Sequence, residues 1–312
     1  MSRTALFVAF NVGVLAMLAV DLGIFNKKAH TISVKEAAIW STVWITLSLG
    51  FAGVIYQLHG QQSALEFMTG YLIEYSLSID NIFVIVLIFA YFRIPDKYQH
   101  RVLFWGIIGA LIMRGSMIAA GAFLIQRFHW IIYVFGAFLV FTGIRMATQD
   151  ESDIEPEANP VLRLVRRLLP VTHDYRGQSF FVREAPKRGD ALRIMATPLF
   201  VVLILVETTD LIFAVDSIPA IFAVTRDPFL VYTSNVCAIL GLRSLYFLLA
   251  HVIHKFHFLK LGLAVVLTFV GAKMLLGSVY EVPILVALLV VALVLSASIA
   301  ASIAFPRKND QA

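Results

Sequence analysis

Long apolar stretches separated by polar connections make up most of the chain, and they predict a bundle of membrane-spanning helices. Nine stretches approach the ~20 apolar residues that an α-helix needs to cross a bilayer. They cover residues 5–25, 38–58, 67–92, 102–126, 129–147, 197–223, 230–253, 259–277 and 282–304. A longer polar segment, residues 148–196, follows the fifth stretch. The pattern therefore predicts one all-α transmembrane domain over residues 1–312, with a long loop inside it.

Lysine and arginine between the stretches predict how the bundle is inserted. With the N-terminus outside, the short inner connections and the C-terminal tail hold ten of these residues, and the outer segments hold three. Because positive charge accumulates on the cytoplasmic side, this bias predicts an N-out, C-in orientation with residues 148–196 in the cytoplasm.

Composition agrees with a membrane protein and narrows the partners. The chain is 60% hydrophobic and 14% charged, whereas soluble proteins average roughly 25% charged. Its net charge of +5 comes mostly from loop residues, so we expect lipid as a partner and no nucleic acid. Cys237 is the only cysteine. An intramolecular disulfide is therefore impossible, and we expect this residue in the core.

The sixth stretch carries three acids at membrane depth. Glu207, Asp210 and Asp216 lie in an otherwise apolar run, where each ionised group costs a few kcal/mol. At about 100° per residue, Glu207 and Asp210 share a helix face and Asp216 points away. Pro219 cannot donate to the carbonyl of Val215. We expect a helix break near Asp216 to Pro219 that turns all three acids toward one cavity, as in the broken helices of transporters.

The two halves of the chain carry matching landmarks. Each half has an acid, a second acid six residues later and then a small polar residue. These are Glu74, Asp80 and Asn81 in the third stretch, and Asp210, Asp216 and Ser217 in the sixth. One stretch later Arg114 corresponds to Arg243, and then residues 138–146 correspond to residues 266–274. Because the repeats, residues 67–147 and 197–277, begin three stretches apart, they are predicted to insert in opposite orientations.

The charges inside the predicted spans indicate what kind of ligand fits. Six acids lie within them: Asp21, Glu74, Asp80, Glu207, Asp210 and Asp216. Arg114 and Arg243 are central bases, which we interpret as counter-ions that hold acids in place. Four negative charges remain in excess, which favours a cation and disfavours an anionic substrate.

The candidate ligands are all hard oxygen donors. They are Glu74, Asp80, Asn81, Glu207, Asp210, Asp216 and Ser217. Asp21, near the inner end of its span, is a supporting charge with a solvated or capping role equally open. Oxygen donors suit manganese, magnesium or calcium better than copper or zinc.

The same residues carry a family resemblance. Residues 71–81, 207–228 and 234–243 resemble the TerC family of integral membrane proteins, named for tellurium resistance, and within it the Alx-type members. The resemblance extends over nearly all of the chain, from Asp21 to the last span. It implies a bacterial inner-membrane protein linked to manganese efflux, within the wider group of LysE-like exporters.

These observations together predict a secondary exporter of divalent cations. Manganese is the expected substrate and protons the expected exchange ion, and we expect neither an organic cofactor nor an enzyme activity. Export of another cation or of a basic amino acid stays open. So does a non-transporting membrane partner that serves metal loading of secreted proteins or a tellurite response.

Overall fold

The computed structural model describes residues 3–20, 32–128, 130–148, 167, 169–172, 174–184, 192–250, 258–277 and 282–305. Within these ranges the helices are α1 (Arg3–Val20), α2 (Val34–Tyr91), α3 (Asp96–Arg127), α4 (Ile131–Thr148), α5 (Pro198–Phe222), α6 (Pro228–Leu249), α7 (Leu259–Leu276) and α8 (Ile284–Ala304). Seven of them, α2 to α8, are long and apolar enough to cross a membrane. The fold is that of an all-α polytopic membrane protein, as predicted.

Helix α2 is a hairpin of two antiparallel arms. Its 58 residues would extend about 87 Å if straight, against the ~30 Å hydrocarbon core of a bilayer. Gly60 interrupts the helical backbone with φ of 86°, a conformation that glycine adopts without steric cost. The rings of Phe51 and Phe67 lie 5.5 Å apart, although a straight helix would separate these residues by about 24 Å. The arms, residues 34–59 and 61–91, correspond to the second and third predicted spans.

Connections that were predicted on one side of the membrane meet at one end of the bundle. Tyr175 Oη, in the long polar segment, donates to Phe92 O at 2.7 Å. We call this end, where α2 ends and α3 begins, the sheet end. The ring of His59, next to the α2 turn, lies 6.2 Å from that of Phe229 at the start of α6. This opposite end is called the Gly60 end. The relative arrangement of the connections agrees with the prediction, whereas the absolute N-out, C-in orientation and the number of crossings stay predictions.

A small sheet covers the sheet end. Strands β1 (Phe181–Glu184) and β2 (Arg193–Ala196) pair antiparallel within the segment predicted as a loop. The Arg101 guanidinium of α3 lies 5.1 Å from the centroid of the Phe180 ring and anchors the sheet to the bundle. On the exposed surface, Arg176 donates to Glu184 at 3.1 Å and lowers the pKa of that carboxyl. Strands of four residues carry too short a pattern to be predicted.

Helices α4 and α7 pack antiparallel, and their contacts come in pairs that the internal repeat relates to each other. A Cβ on Gly271 would lie 2.7 Å from Gly136 O, and a Cβ on Gly143 would lie 2.8 Å from Ala264 O. In the predicted correspondence residue 143 matches 271, and residue 136 matches 264. An approximate two-fold axis that exchanges the repeats therefore converts each of these contacts into the other. Since 143 meets 264 while 136 meets 271, the matching helices run in opposite directions.

Candidate cation site

Helix α5 carries three candidate acids and does not break. It is continuous over Pro198–Phe222 with Pro219 inside it, so the predicted break is wrong. Pro219 lies close to the C-terminal end, where its missing N–H removes one hydrogen bond while buried packing keeps the last turn helical. Asp216 consequently keeps the helical phase and accepts from Thr142 Oγ1 of α4 at 3.3 Å. The three acids of α5 do not share one cavity.

Three buried charged residues, Glu74 of α2, Arg114 of α3 and Asp210 of α5, form an ion triad at the centre of the bundle. Arg114 Nε donates to Asp210 Oδ2 at 3.0 Å, and Arg114 Nη2 donates to Asp210 Oδ1 at 2.7 Å. Arg114 Nη1 donates to Glu74 Oε1. Asn81 Nδ2 donates to Asp210 Oδ1 at 3.0 Å. All four residues are buried. The structure thus brings together four of the predicted site residues and gives Arg114 the expected counter-ion position.

The triad obeys the same two-fold relation as the rest of the bundle. Asn81 contacts Asp210, and the matching residue pair, Ser217 and Glu74, is also in contact. Ser217 Oγ additionally lies 3.4 Å from Arg114 Nη1. Because residue 74 meets 217 while 81 meets 210, the C-terminal arm of α2 runs antiparallel to α5. The axis that relates the repeats therefore passes between the two carboxylates.

A small cavity leads from the triad toward the sheet end. It has a volume of about 20 Å³, and its polar lining comes from Asn81, Glu207, Asp210 and Arg243. This volume suits one water molecule or one dehydrated ion. Gly109 leaves the space that the Glu207 carboxylate fills, since a Cβ at that position would collide with both carboxylate oxygens. Sequence patterns did not single out Gly109, whose importance depends on a neighbour on another helix.

Several buried oxygens near the triad have no hydrogen-bond partner among the described residues. They are Glu74 Oε2, Asn81 Oδ1 and Glu207 Oε2. Within the same ranges, no group of three or more His, Cys, Asp or Glu side chains converges in the manner of a metal-binding cluster. A cation here would therefore draw on the amide oxygen of Asn81, and on water, in addition to carboxylates.

Two predicted acids are not placed by the structure. Asp21 and the side chain of Asp80 lie outside the described residues. Arg243 is buried and lines the cavity, a position compatible with its predicted role as a supporting charge. Cys237 is a buried free cysteine, as expected.

Comparison with known proteins decides the family. The family model described as "Integral membrane protein TerC family" matches residues 59–310. The chain belongs to the TerC family. The resemblance found in the acid-bearing stretches is thereby confirmed, and the protein is a multi-pass protein of the bacterial inner membrane.

Curated relatives match along most of their length. A protein of Myxococcus xanthus named "Uncharacterized membrane protein STKORF319" is 51% identical over 277 residues, which cover 89% of this chain and 84% of the relative. The Escherichia coli K12 protein named "Putative membrane-bound redox modulator Alx" is 50% identical over 288 residues, covering 89% and 88%. A Photorhabdus laumondii protein with the same name is 46% identical over 285 residues, covering 88% and 87%. No solved structure matches the chain.

Proposed function

We propose that this TerC-family protein exports a divalent cation, most simply Mn²⁺, in exchange for protons. The observation that carries the proposal is the meeting of Glu74 and Asp210, one carboxylate from each repeat, at a buried centre on the two-fold axis. Substrate sites at the interface of inverted repeats are the usual plan of secondary transporters. Mn²⁺ is the transported substrate in this proposal, not a resident cofactor.

The charge of the centre favours a cation. With all three groups ionised, Glu74 and Asp210 contribute two negative charges and Arg114 one positive charge, which leaves the triad at −1. Glu207 adds a further acid at the cavity. An anionic substrate would be repelled there, because charges inside a protein are only weakly screened.

The donor atoms favour manganese over softer metals. The unpartnered atoms of Glu74, Asn81 and Glu207 are carboxylate and amide oxygens, which suit Mn²⁺, Mg²⁺ or Ca²⁺. The cavity of about 20 Å³ accommodates an ion and is far smaller than the few hundred Å³ typical of organic-ligand pockets. Size therefore supports a metal ion over a basic amino acid.

Apolar packing on the two sides of the centre supports alternating access. Between the cavity and the sheet end, the side chains of Ile88, Phe89 and Tyr246 are buried together in one cluster. Toward the Gly60 end, Phe67 and Tyr71 are buried in another. A cation at the centre would be sealed from both ends, and opening one apolar layer at a time would give it access to one side.

Metal uptake into inside-out vesicles tests the proposal. Vesicles that contain the wild-type protein should accumulate Mn²⁺ well above vesicles without it and should show little change in copper. The matched variant is Glu207→Gln, which keeps the size of the side chain and removes its charge; its uptake should fall to the background. Wild-type vesicles that take up no Mn²⁺ although the protein is inserted would favour the non-transporting partner for metal loading.

A further inference from the structure

Asn235 of α6 is a buried amide without a hydrogen bond. It has no exposed surface, and neither its nitrogen nor its oxygen has a partner among the described residues. Its neighbours Thr233 and Ser234 are equally buried, but their hydroxyls bond to the carbonyls of Phe229 and Val231. Native folds leave few buried polar groups unpaired. The unpaired amide of Asn235 therefore points to a ligand that it meets during the transport cycle.

The position of Asn235 on α6 places it on the face that lines the cavity. Residues four and seven positions apart share a helix face, so Asn235 shares a face with Ile239 and Leu242. Both of these residues line the cavity beside the ion triad. Asn235 lies about 6 Å from Ile239 along the helix axis, in the direction of the Gly60 end.

Contacts with α2 place Asn235 near the triad. Its neighbour Ser234 packs on Gly70, where a Cβ would lie 2.8 Å from Ser234 Oγ. Gly70 precedes Glu74 by one helical turn, about 6 Å. The segment of α6 that carries Asn235 therefore passes one turn from the Glu74 carboxyl, on the side of the centre that faces the Gly60 end.

The repeat relation assigns Asn235 a counterpart at the cavity. Matching the two buried arginines pairs Asn235 with Gly106, which lines the cavity. Gly106 belongs to α3 and packs against α5, since a Cβ on Gly106 would lie 3.6 Å from Val206 Cγ1. The repeat pairs Val206 with Gly70, on which Ser234, the neighbour of Asn235, packs. Gly106 lies at the cavity, on the side of the ion triad that faces the sheet end. Asn235 thus has the equivalent position on the side of the triad that faces the Gly60 end.

We propose that Asn235 is a cation-coordinating residue of the half-pathway between the ion triad and the Gly60 end. Its amide oxygen replaces a water ligand of the divalent cation as the ion leaves the central carboxylates of Glu74 and Asp210. This inference rests on the proposed function. It adds an uncharged ligand, on a helix that supplied none of the predicted metal ligands.

The test compares Asn235→Leu with Thr233→Val in proteoliposomes, with Mn²⁺ as the probe. Leucine has nearly the shape of asparagine, so Asn235→Leu should lower the initial rate of Mn²⁺ uptake roughly tenfold or more. Its thermal midpoint should equal or exceed that of the wild type, because an apolar isostere removes an unpaired buried amide. Thr233→Val, which removes a hydroxyl that the backbone satisfies, should keep uptake within about twofold of wild type.

Each other outcome has a defined meaning. Wild-type uptake in Asn235→Leu would overturn this inference and leave the proposed function standing. Loss of uptake together with a lower thermal midpoint would show a structural role and also overturn it. Absence of Mn²⁺ uptake in the wild type would overturn the proposed function and this inference with it. Should Asn235→Leu not insert, Asn235→Asp must retain uptake and Asn235→Ala must lose it; the reverse result contradicts the proposal.

Discussion

The two halves of the pathway share a backbone plan and differ in chemistry. Toward the sheet end, the Glu207 carboxylate fills the space left by Gly109. The corresponding place toward the Gly60 end holds Tyr71, which packs in a buried apolar cluster with Ala238, the counterpart of Gly109. The repeated backbone therefore determines which positions contact each other. The residue type at those positions determines whether that half of the pathway contains a carboxylate there. At this matched place the half toward the sheet end offers a cation a carboxylate, and the half toward the Gly60 end offers the neutral hydroxyl of Tyr71.

The largest expected effect comes from the triad that both halves share. Arg114→Met leaves Glu74 and Asp210 buried without their guanidinium, and removal of one partner of a buried ion pair costs about 3–5 kcal/mol. We expect a loss of this size in the free energy of unfolding in detergent. Arg127→Met, at the exposed end of the same helix, is the control and should change it little. Wild-type stability of Arg114→Met would show that the triad does not hold the repeats together.

The next effect tests whether the repeats meet symmetrically. In Gly143→Ala and Gly271→Ala the new methyl group would meet the backbone of the opposite helix at 2.8 and 2.7 Å. Overpacking against backbone costs about 1–3 kcal/mol, and the two losses should be similar because the contacts are exchanged by the two-fold axis. Gly50→Ala, with no neighbour within 4 Å of the new carbon, serves as the control. Thermal unfolding of the three variants measures these losses of stability. Strongly unequal losses for Gly143→Ala and Gly271→Ala would show that the two contacts are not equivalent.

A third effect sharpens the chemical difference between the halves. Glu207→Gln should reduce Mn²⁺ transport to the background, a loss of at least about tenfold, while the fold persists because Glu207 Oε2 bonds to no described residue. Tyr71→Phe, at the matching place, should keep transport within about twofold. Initial rates in vesicles measure both. Equal losses in the two variants would contradict the assignment of the charged role to one half.

The smallest effect concerns the space for Glu207. In Gly109→Ala the new methyl group must displace the Glu207 carboxylate, which is the flexible end of a side chain, so stability should change little. Transport should fall about threefold, since misplacing a ligand by ~1 Å costs function before it costs folding. Gly115→Ala on the same helix meets its nearest neighbour, Tyr232, at an ordinary 3.4 Å and should transport Mn²⁺ at the wild-type rate.

Sequence patterns predicted the helices and the repeat well, because both depend on period and on spacing. The apolar stretches correspond to α1, the two arms of α2 and α3 to α8. The repeat pairs Glu74 with Asp210 in the sequence, and in the structure both carboxylates bind Arg114 beside the two-fold axis. Spacing could not predict the course of α5, since buried packing around Pro219 keeps the last turn helical.

Sequence patterns also could not identify residues whose role depends on distant neighbours. Gly109 matters through Glu207, which is 98 positions away in the chain. Asn235 stands out only because no described residue pairs with its amide. The small sheet escaped prediction because each of its strands has four residues.

Proton-coupled Mn²⁺ flux in proteoliposomes measures directly whether the protein is a Mn²⁺/proton exchanger. Purified protein is reconstituted, a pH gradient is imposed, and internal Mn²⁺ and internal pH are followed together. Wild-type protein should move Mn²⁺ against its own gradient while protons move the opposite way. Glu207→Gln should abolish both movements, and Tyr71→Phe should preserve them. Mn²⁺ flux that ignores the pH gradient, or that survives in Glu207→Gln, would contradict the proposed mechanism.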